Sequence, residues 1–218
     1  MPVRTLVSIW PLFAGLSLIG LAVGVQGSLL GVRAEIEGFD DYLIGLLMSC
    51  YFAGFLAGSL LTPKMIQRVG HIRIFAALSA VASVTILVHS IYVNPWAWAL
   101  MRLLTGFAFS TIYVVSESWL NQASNNTNRG QILSIYTAIL LAGICAGQFM
   151  LNVANPREFT LFILISVMVS VAAVPILLSV ITTPAIEETE RVTMRHLWYR
   201  TPMGVTGIVL SQWVSSIL

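Results

Sequence analysis

Six long apolar runs dominate this chain, and they leave few options for its fold. A helix crosses a bilayer core with roughly 20 apolar residues. Runs of that order, bounded by charges, Pro, Gly or Asn, cover residues 7–29, 42–61, 74–93, 95–120, 131–153 and 159–181. They are continuous instead of alternating over about 10 residues, so they are not the strands of a membrane barrel. Of 218 residues, 57% are hydrophobic and only 9% charged. So few charges cannot cover a soluble domain of this size. The chain is therefore read as an all-α polytopic membrane protein whose first partner is the lipid bilayer. Nucleic-acid binding, a secreted disulfide scaffold and a disordered tail are excluded on the same grounds. The first run is too long for a signal peptide and reads as a retained membrane helix.

A seventh apolar run covers 203–218, preceded by a charged segment from 182 to 200 that carries Glu187, Glu188, Glu190, Arg191 and Arg195. The expected organisation is a six-helix transmembrane bundle at 1–181, a cytoplasmic linker at 182–200, and the start of a seventh helix at 201–218. A chain that stops inside an apolar run reads as a fragment, or as one half of a larger protein.

The basic residues set an orientation. Eight of the eleven fall on one side of the expected membrane: Arg4, Lys64, Arg68, Arg73, Arg129, Arg191, Arg195 and Arg200. Arg33 and Arg157 fall on the other, and Arg102 lies within the fourth run. Under the positive-inside rule the N-terminus is cytoplasmic. The segment between the first two runs holds Glu35, Glu37, Asp40 and Asp41, which suits an exterior face.

Small residues recur at helical spacing: Gly20, Gly24, Gly27 and Gly31 in the first run, Gly54 and Gly58 in the second, Gly143 and Gly147 in the fifth. Such stripes let helix backbones approach closely in lipid. They serve plain packing, or close contacts that allow helices to rock. In the fourth run Arg102, Gly106, Ser110, Tyr113 and Glu117 share one face. Arg102 and Glu117 are about 22 Å apart along the axis and cannot pair directly. Arg102 either snorkels to the outer surface or faces the bundle interior, where charges mark a pathway. Glu117 is expected to form an ion pair with Arg68, Arg73 or Arg129 at the cytoplasmic end. Gln26 either faces a cavity or bonds a neighbouring helix. His71 is expected in a solvated basic loop, and a relay role for His89 requires that it face a cavity. Cys50 and Cys145 read as packing residues. No Cys/His spacing suggests a metal, no cofactor is expected, and no catalytic constellation supports an enzyme.

Local motifs carry a resemblance. Arg68, Gly70 and Arg73 resemble the loop between helices two and three of the major facilitator superfamily, G-x-x-x-D-R-x-G-R-[RK], with Gln67 in place of its Asp and Pro63 in place of its first Gly. Arg102-x-x-x-Gly106 resembles that superfamily's fourth-helix motif, Glu117 the acid at that helix's inner end, and Arg129-Gly130 the opening of its fifth helix. Gly143-x-x-x-Gly147-Gln148 resembles its antiporter motif, with Gln where that motif has Pro, which argues against a drug antiporter. The resemblance covers nearly the whole chain and points to a poorly characterised bacterial branch.

It implies the N-terminal half of a permease, built from 3+3 inverted repeats, in a bacterial inner membrane, with a missing C-terminal six-helix half and a small-molecule solute bound between the halves. Arg102, Gln26, Gly106 and Ser110 would then serve the substrate cavity or its outer gate. Arg68, Gly70, Arg73, Glu117 and Arg129 would form a cytoplasmic latch. The alternative reading is a stand-alone membrane module that acts as an assembly partner without transport.

Overall fold

The structure is a computed structural model that describes residues 3–178. The linker at 182–200 and the seventh run lie outside the described residues. Within them, α1 (Val3–Ile36), α2 (Asp41–Val69), α3 (His71–Ile91), α4 (Pro95–Ala123), α5 (Arg129–Met150), α6 (Thr160–Ala172) and α7 (Val174–Leu178) follow in order. α6 and α7 form one interrupted span, so six segments are long and apolar enough to cross a membrane. The interruption falls at Ala173, just before Pro175. Proline has no N–H to give the preceding turn, and its ring crowds the carbonyl four residues back. The sixth run is thus broken where a straight helix was expected.

Side-chain caps fix two helix starts. Asp40 accepts from the Leu43 N–H at 2.8 Å and opens α2. Asn94 accepts from the N–H groups of Trp96 and Ala97 at 3.0 and 3.2 Å, with Pro95 in the first turn of α4. Both side chains satisfy donors that a helix end leaves free. Between α4 and α5, Asn125 and Asn128 bond each other's backbone N–H at 3.0 and 2.8 Å and close the turn.

The connection between α2 and α3 is the single residue Gly70, at φ +87°. That left-handed conformation favours glycine. The expected basic loop is therefore not a loop. Lys64 and Arg68 ride on the last turns of α2, and Arg73 on the first turn of α3. The second run was expected to end at Pro63, yet α2 continues past it to Val69. Its 29 residues span about 43 Å, more than a hydrocarbon core of about 30 Å. The basic end of α2 is long enough to reach the headgroup layer.

The packing order shows an internal symmetry. α2 packs mainly on α4, α1 on α5, α3 on α4 and α6, and α6 on α1. Exchanging α1 with α4, α2 with α5 and α3 with α6 converts each of these pairs into another or into itself. This is the pattern of two three-helix repeats. α1, α3, α4 and α6 meet through Leu16, Ile19, Phe75, Ile86, Phe109, Ile112, Phe162 and Ile165, all buried. Hydroxyl pairs stitch the same core, Thr85–Thr105 at 2.9 Å and Ser83–Ser166 at 2.6 Å, and Thr62–Thr111 at 3.0 Å ties α2 to it. α2 and α5 are different. Only 17% and 22% of their apolar windows are buried, against 50% or more for the other four spans. Each leans on one main neighbour and leaves most of its surface open.

Candidate functional site

Two close helix crossings frame the site. At the first, Gly54 and Gly58 of α2 lie against the backbone of Leu103 and Phe107 in α4, and Gly106 of α4 lies against the Tyr51 carbonyl. At the second, Gly20 and Gly24 of α1 meet the backbone of Leu140, Gly143 and Ile144 in α5, while Gly143 and Gly147 approach Gly20, Leu21 and Gly24 in return. A Cβ added at any of these six glycines or at Gly106 would press on main-chain atoms that have no rotamer to yield. Gln148 adds a polar tie at the second crossing. Its Nε2 donates to the Gly24 carbonyl at 2.9 Å and its Oε1 accepts from Ser28 at 2.7 Å.

Arg102 is buried beside the first crossing, at 5% exposure, and does not extend to the surface. Its guanidinium carbon stands 4.4 Å from the centre of the Tyr51 ring, and its Nη2 reaches Met48 Sδ at 3.2 Å. Its Nε is buried without a hydrogen-bond partner. A desolvated cation over a tyrosine face gains about 2 kcal/mol. Tyr51 stands 6.2 Å from Phe55, and Phe55 6.2 Å from Tyr113, so a file of rings runs from Arg102 toward the C-terminal half of α4.

That file ends at a cavity of about 390 Å³ between α2, α4 and α5. Phe55 and Ser59 line it from α2; Ser110, Tyr113, Val114 and Glu117 from α4; Tyr136, Thr137, Leu140, Leu141 and Ile144 from α5. Its volume lies in the range of small-molecule sites. Among the described residues Glu117 is the one carboxylate in the lining, and no Lys, Arg or His joins it. Glu117 Oε1 accepts a hydrogen bond from Tyr136 Oη at 3.1 Å.

The sequence-derived residues therefore divide. Ser110 and Glu117 line the cavity together, and Gly106 sits one turn before Ser110 at the α2 crossing. Gln26 is buried at 3% exposure, its amide nitrogen lacks a partner, and it is not among the residues lining this cavity. The ion pair expected of Glu117 is not formed. Arg68, Arg73 and Arg129 are exposed, and Arg33–Glu37 is the only ion pair among the described residues. Tyr136 takes the place given to a basic partner.

Arg33, expected in an outer loop, lies in the last turn of α1 and also donates to the carbonyls of Pro156 and Arg157. It ties α1 to the segment between α5 and α6. His71 is not solvated. It is 1% exposed, bonds Ser118 Oγ at 3.1 Å and packs near the Trp119 ring. With the connection reduced to Gly70, His71 has to enter the bundle. His89 is buried against Trp98, its Nδ1 is 2.6 Å from the Thr85 carbonyl, and it is not among the residues lining this cavity.

Tyr51 and Tyr136 were not foreseen, though a signal existed. Tyr51, Phe55 and Gly58 follow steps of four and three. Tyr136, Leu140, Gly143 and Gly147 follow four, three and four. Each tyrosine shares the face of a glycine stripe, which a helical projection exposes.

The family model described as Major Facilitator Superfamily matches residues 12–217. The chain is 29% identical over 206 residues to an uncharacterized MFS-type transporter of Enterobacter sp. (strain 638), covering 92% of this chain and 53% of that protein. It is 27% identical over 202 residues to the uncharacterized MFS-type transporter YcaD of Escherichia fergusonii, with the same two coverages. A third relative, an uncharacterized MFS-type transporter of Yersinia enterocolitica, is 29% identical over 169 residues, or 76% of this chain and 44% of that protein. The chain spans about half the length of the curated relatives it matches.

Proposed function

This chain belongs to the Major Facilitator Superfamily, and we propose that it is the N-terminal half of a secondary transporter that moves a small solute by alternating access. One observation carries this reading: a solute-sized cavity opens between α2, α4 and α5, beside two crossings where backbones touch through glycine. Glycine contacts are smooth, so helices can pivot there without disengaging side chains. The relatives that are named transporters run to about twice this length, which supports six further helices as the other wall of the cavity. The open faces of α2 and α5 are suited to meet that wall.

In this scheme Arg102 supplies positive charge to the outer part of the pathway, and Ser110 and Gly106 shape its middle. Gln26 offers a polar contact once α1 shifts. Arg68, Arg73 and Arg129, with Gly70 as the bend, form a latch that captures Glu117 when the cytoplasmic side closes. Glu117 would leave Tyr136 to do so. The N-terminus is cytoplasmic and the membrane is the bacterial inner membrane.

Counterflow in proteoliposomes tests the proposal. The natural gene product carrying this chain is reconstituted, preloaded with pooled cell solutes, and assayed for saturable exchange. The expected result is exchange of at least one small solute. Folded protein that exchanges none of the pool refutes the reading.

A further inference from the structure

The chemistry of the cavity points to the class of solute it accepts. We infer that the pocket between α2, α4 and α5 binds an organic cation with an apolar body, held by Glu117 and the rings of Tyr113, Tyr136 and Phe55. This rests on the transport reading above and adds the substrate class.

Among the described residues the lining has one formal charge, and it is negative. Tyr136 engages only Glu117 Oε1, and no hydrogen bond within the described residues occupies Oε2. The tyrosine is a donor, so it stabilises the carboxylate in place without neutralising it. A carboxylate in that state attracts a cation, and a bare anion would be repelled.

The rest of the wall selects what surrounds the charge. Three aromatic rings reach the cavity from three different helices. The face of an aromatic ring is negative and attracts an ammonium group within about 6 Å. Leu140, Leu141 and Ile144 offer aliphatic surface, which disfavours a small hydrated metal ion and favours an organic body. Arg102 is the nearest candidate for an opposite preference. It is not in the lining, and the rings of Tyr51 and Phe55 stand between it and the cavity.

A cation on Glu117 also occupies the acid that the proposed latch requires. Solute and latch arginines would then compete for one carboxylate, so loading the cavity would hold the cytoplasmic latch open.

The test is equilibrium binding to the purified natural gene product, with two probes of matched shape. Benzyltrimethylammonium and benzylsulfonate share a phenyl ring and a compact head, and differ in the sign of the charge. The expected result is saturable binding of the ammonium probe and none of the sulfonate. Glu117→Gln should weaken ammonium binding about tenfold, the factor that about 1.4 kcal/mol makes. Tyr113→Leu should weaken it about threefold to fivefold, from loss of one cation–π contact. Sulfonate binding equal to or stronger than ammonium binding overturns the inference, above all if Arg102→Met abolishes it. So does ammonium binding that Glu117→Gln leaves unchanged, or no ammonium binding by protein with an unaltered thermal melt.

Counterflow of the same probe separates the two claims. Binding of the probe, with no flux of it or of any pooled solute, supports the site and refutes transport. Flux of other solutes without ammonium binding supports transport and refutes this substrate class.

Discussion

Replacing Gly58 with alanine isolates what the α2–α4 crossing contributes. The added Cβ would stand 2.7 Å from the Phe107 carbonyl oxygen, 3.1 Å from Ser110 Cβ and 3.2 Å from Phe107 Cα. Ordinary contact begins at 3.4 Å, so the worst contact falls short by about 0.7 Å. Two of the three obstructing atoms are backbone, and no rotamer change relieves them. The helices must therefore part by roughly that amount. Parting by 0.5–1 Å forfeits about a quarter to a half of each dispersion contact along the crossing. Overpacking of this kind costs about 1–3 kcal/mol. Alanine returns up to about 1 kcal/mol through helix propensity, so the net loss should be about 0–2 kcal/mol, and Gly58→Ala should fall about 1–3 kcal/mol below a glycine-to-alanine change made in open space. Gly27→Ala and Gly45→Ala are the controls, because a Cβ there meets nothing within 4 Å. They should be neutral, or more stable by about 0.5–1 kcal/mol. Thermal melts of the three variants in one detergent decide the matter. If Gly58→Ala melts with Gly27→Ala, the glycines are not there for close approach.

Further outcomes follow from the same geometry. Gln148→Leu removes both bonds that α5 makes to α1 and should cost about 1 kcal/mol. Ser28→Ala added to it should cost little more, since the partner is already gone, and a double-mutant cycle on melting reads this. Arg102→Ala should reduce solute counterflow without reducing membrane insertion, and unchanged flux at equal expression would remove Arg102 from the pathway. In a background lacking Cys50 and Cys145, Glu35→Cys should react with an impermeant thiol reagent from outside only. Asn126→Cys should react from inside only, and the opposite pattern would invert the proposed topology.

The fold was legible because lipid leaves little freedom. Each span must satisfy its own backbone bonds, so apolar length alone located six helices. Their ends were less legible. Pro63 looked like a stop, yet α2 runs on to Val69, with Pro63 on an exposed part of the helix where its ring meets no packed neighbour. Pro175 looked like part of a run, yet it follows the break at Ala173. Local sequence does not say which proline a neighbour will accommodate.

The site was partly legible. The stripe from Arg102 to Glu117 lies on the face of α4 that meets α2 and the cavity, since steps of three and four fix a face whatever the partner. Partners were harder. Charge matching suggested an arginine for Glu117, and the structure gives it the Tyr136 hydroxyl. Charge matching offered Arg102 no partner at all, and it rests on the Tyr51 ring and Met48 sulfur. All three partners are uncharged, and all come from other helices, Tyr136 from α5 and Tyr51 and Met48 from α2. Pairing across a bundle depends on how helices rotate against one another, which apolar length and charge counts do not encode. His71 shows the same limit: a histidine among basic residues reads as solvated until the turn beside it shrinks to Gly70.

The most direct test of alternating access needs no knowledge of the solute. Thr137, an exposed residue of the cavity wall, is changed to cysteine in the natural gene product lacking Cys50 and Cys145, and oriented vesicles are treated with an impermeant thiol reagent from either side. Under alternating access Thr137→Cys reacts from both sides, because the cavity opens to each in turn. Reaction from one side only, under all solute conditions, would contradict it.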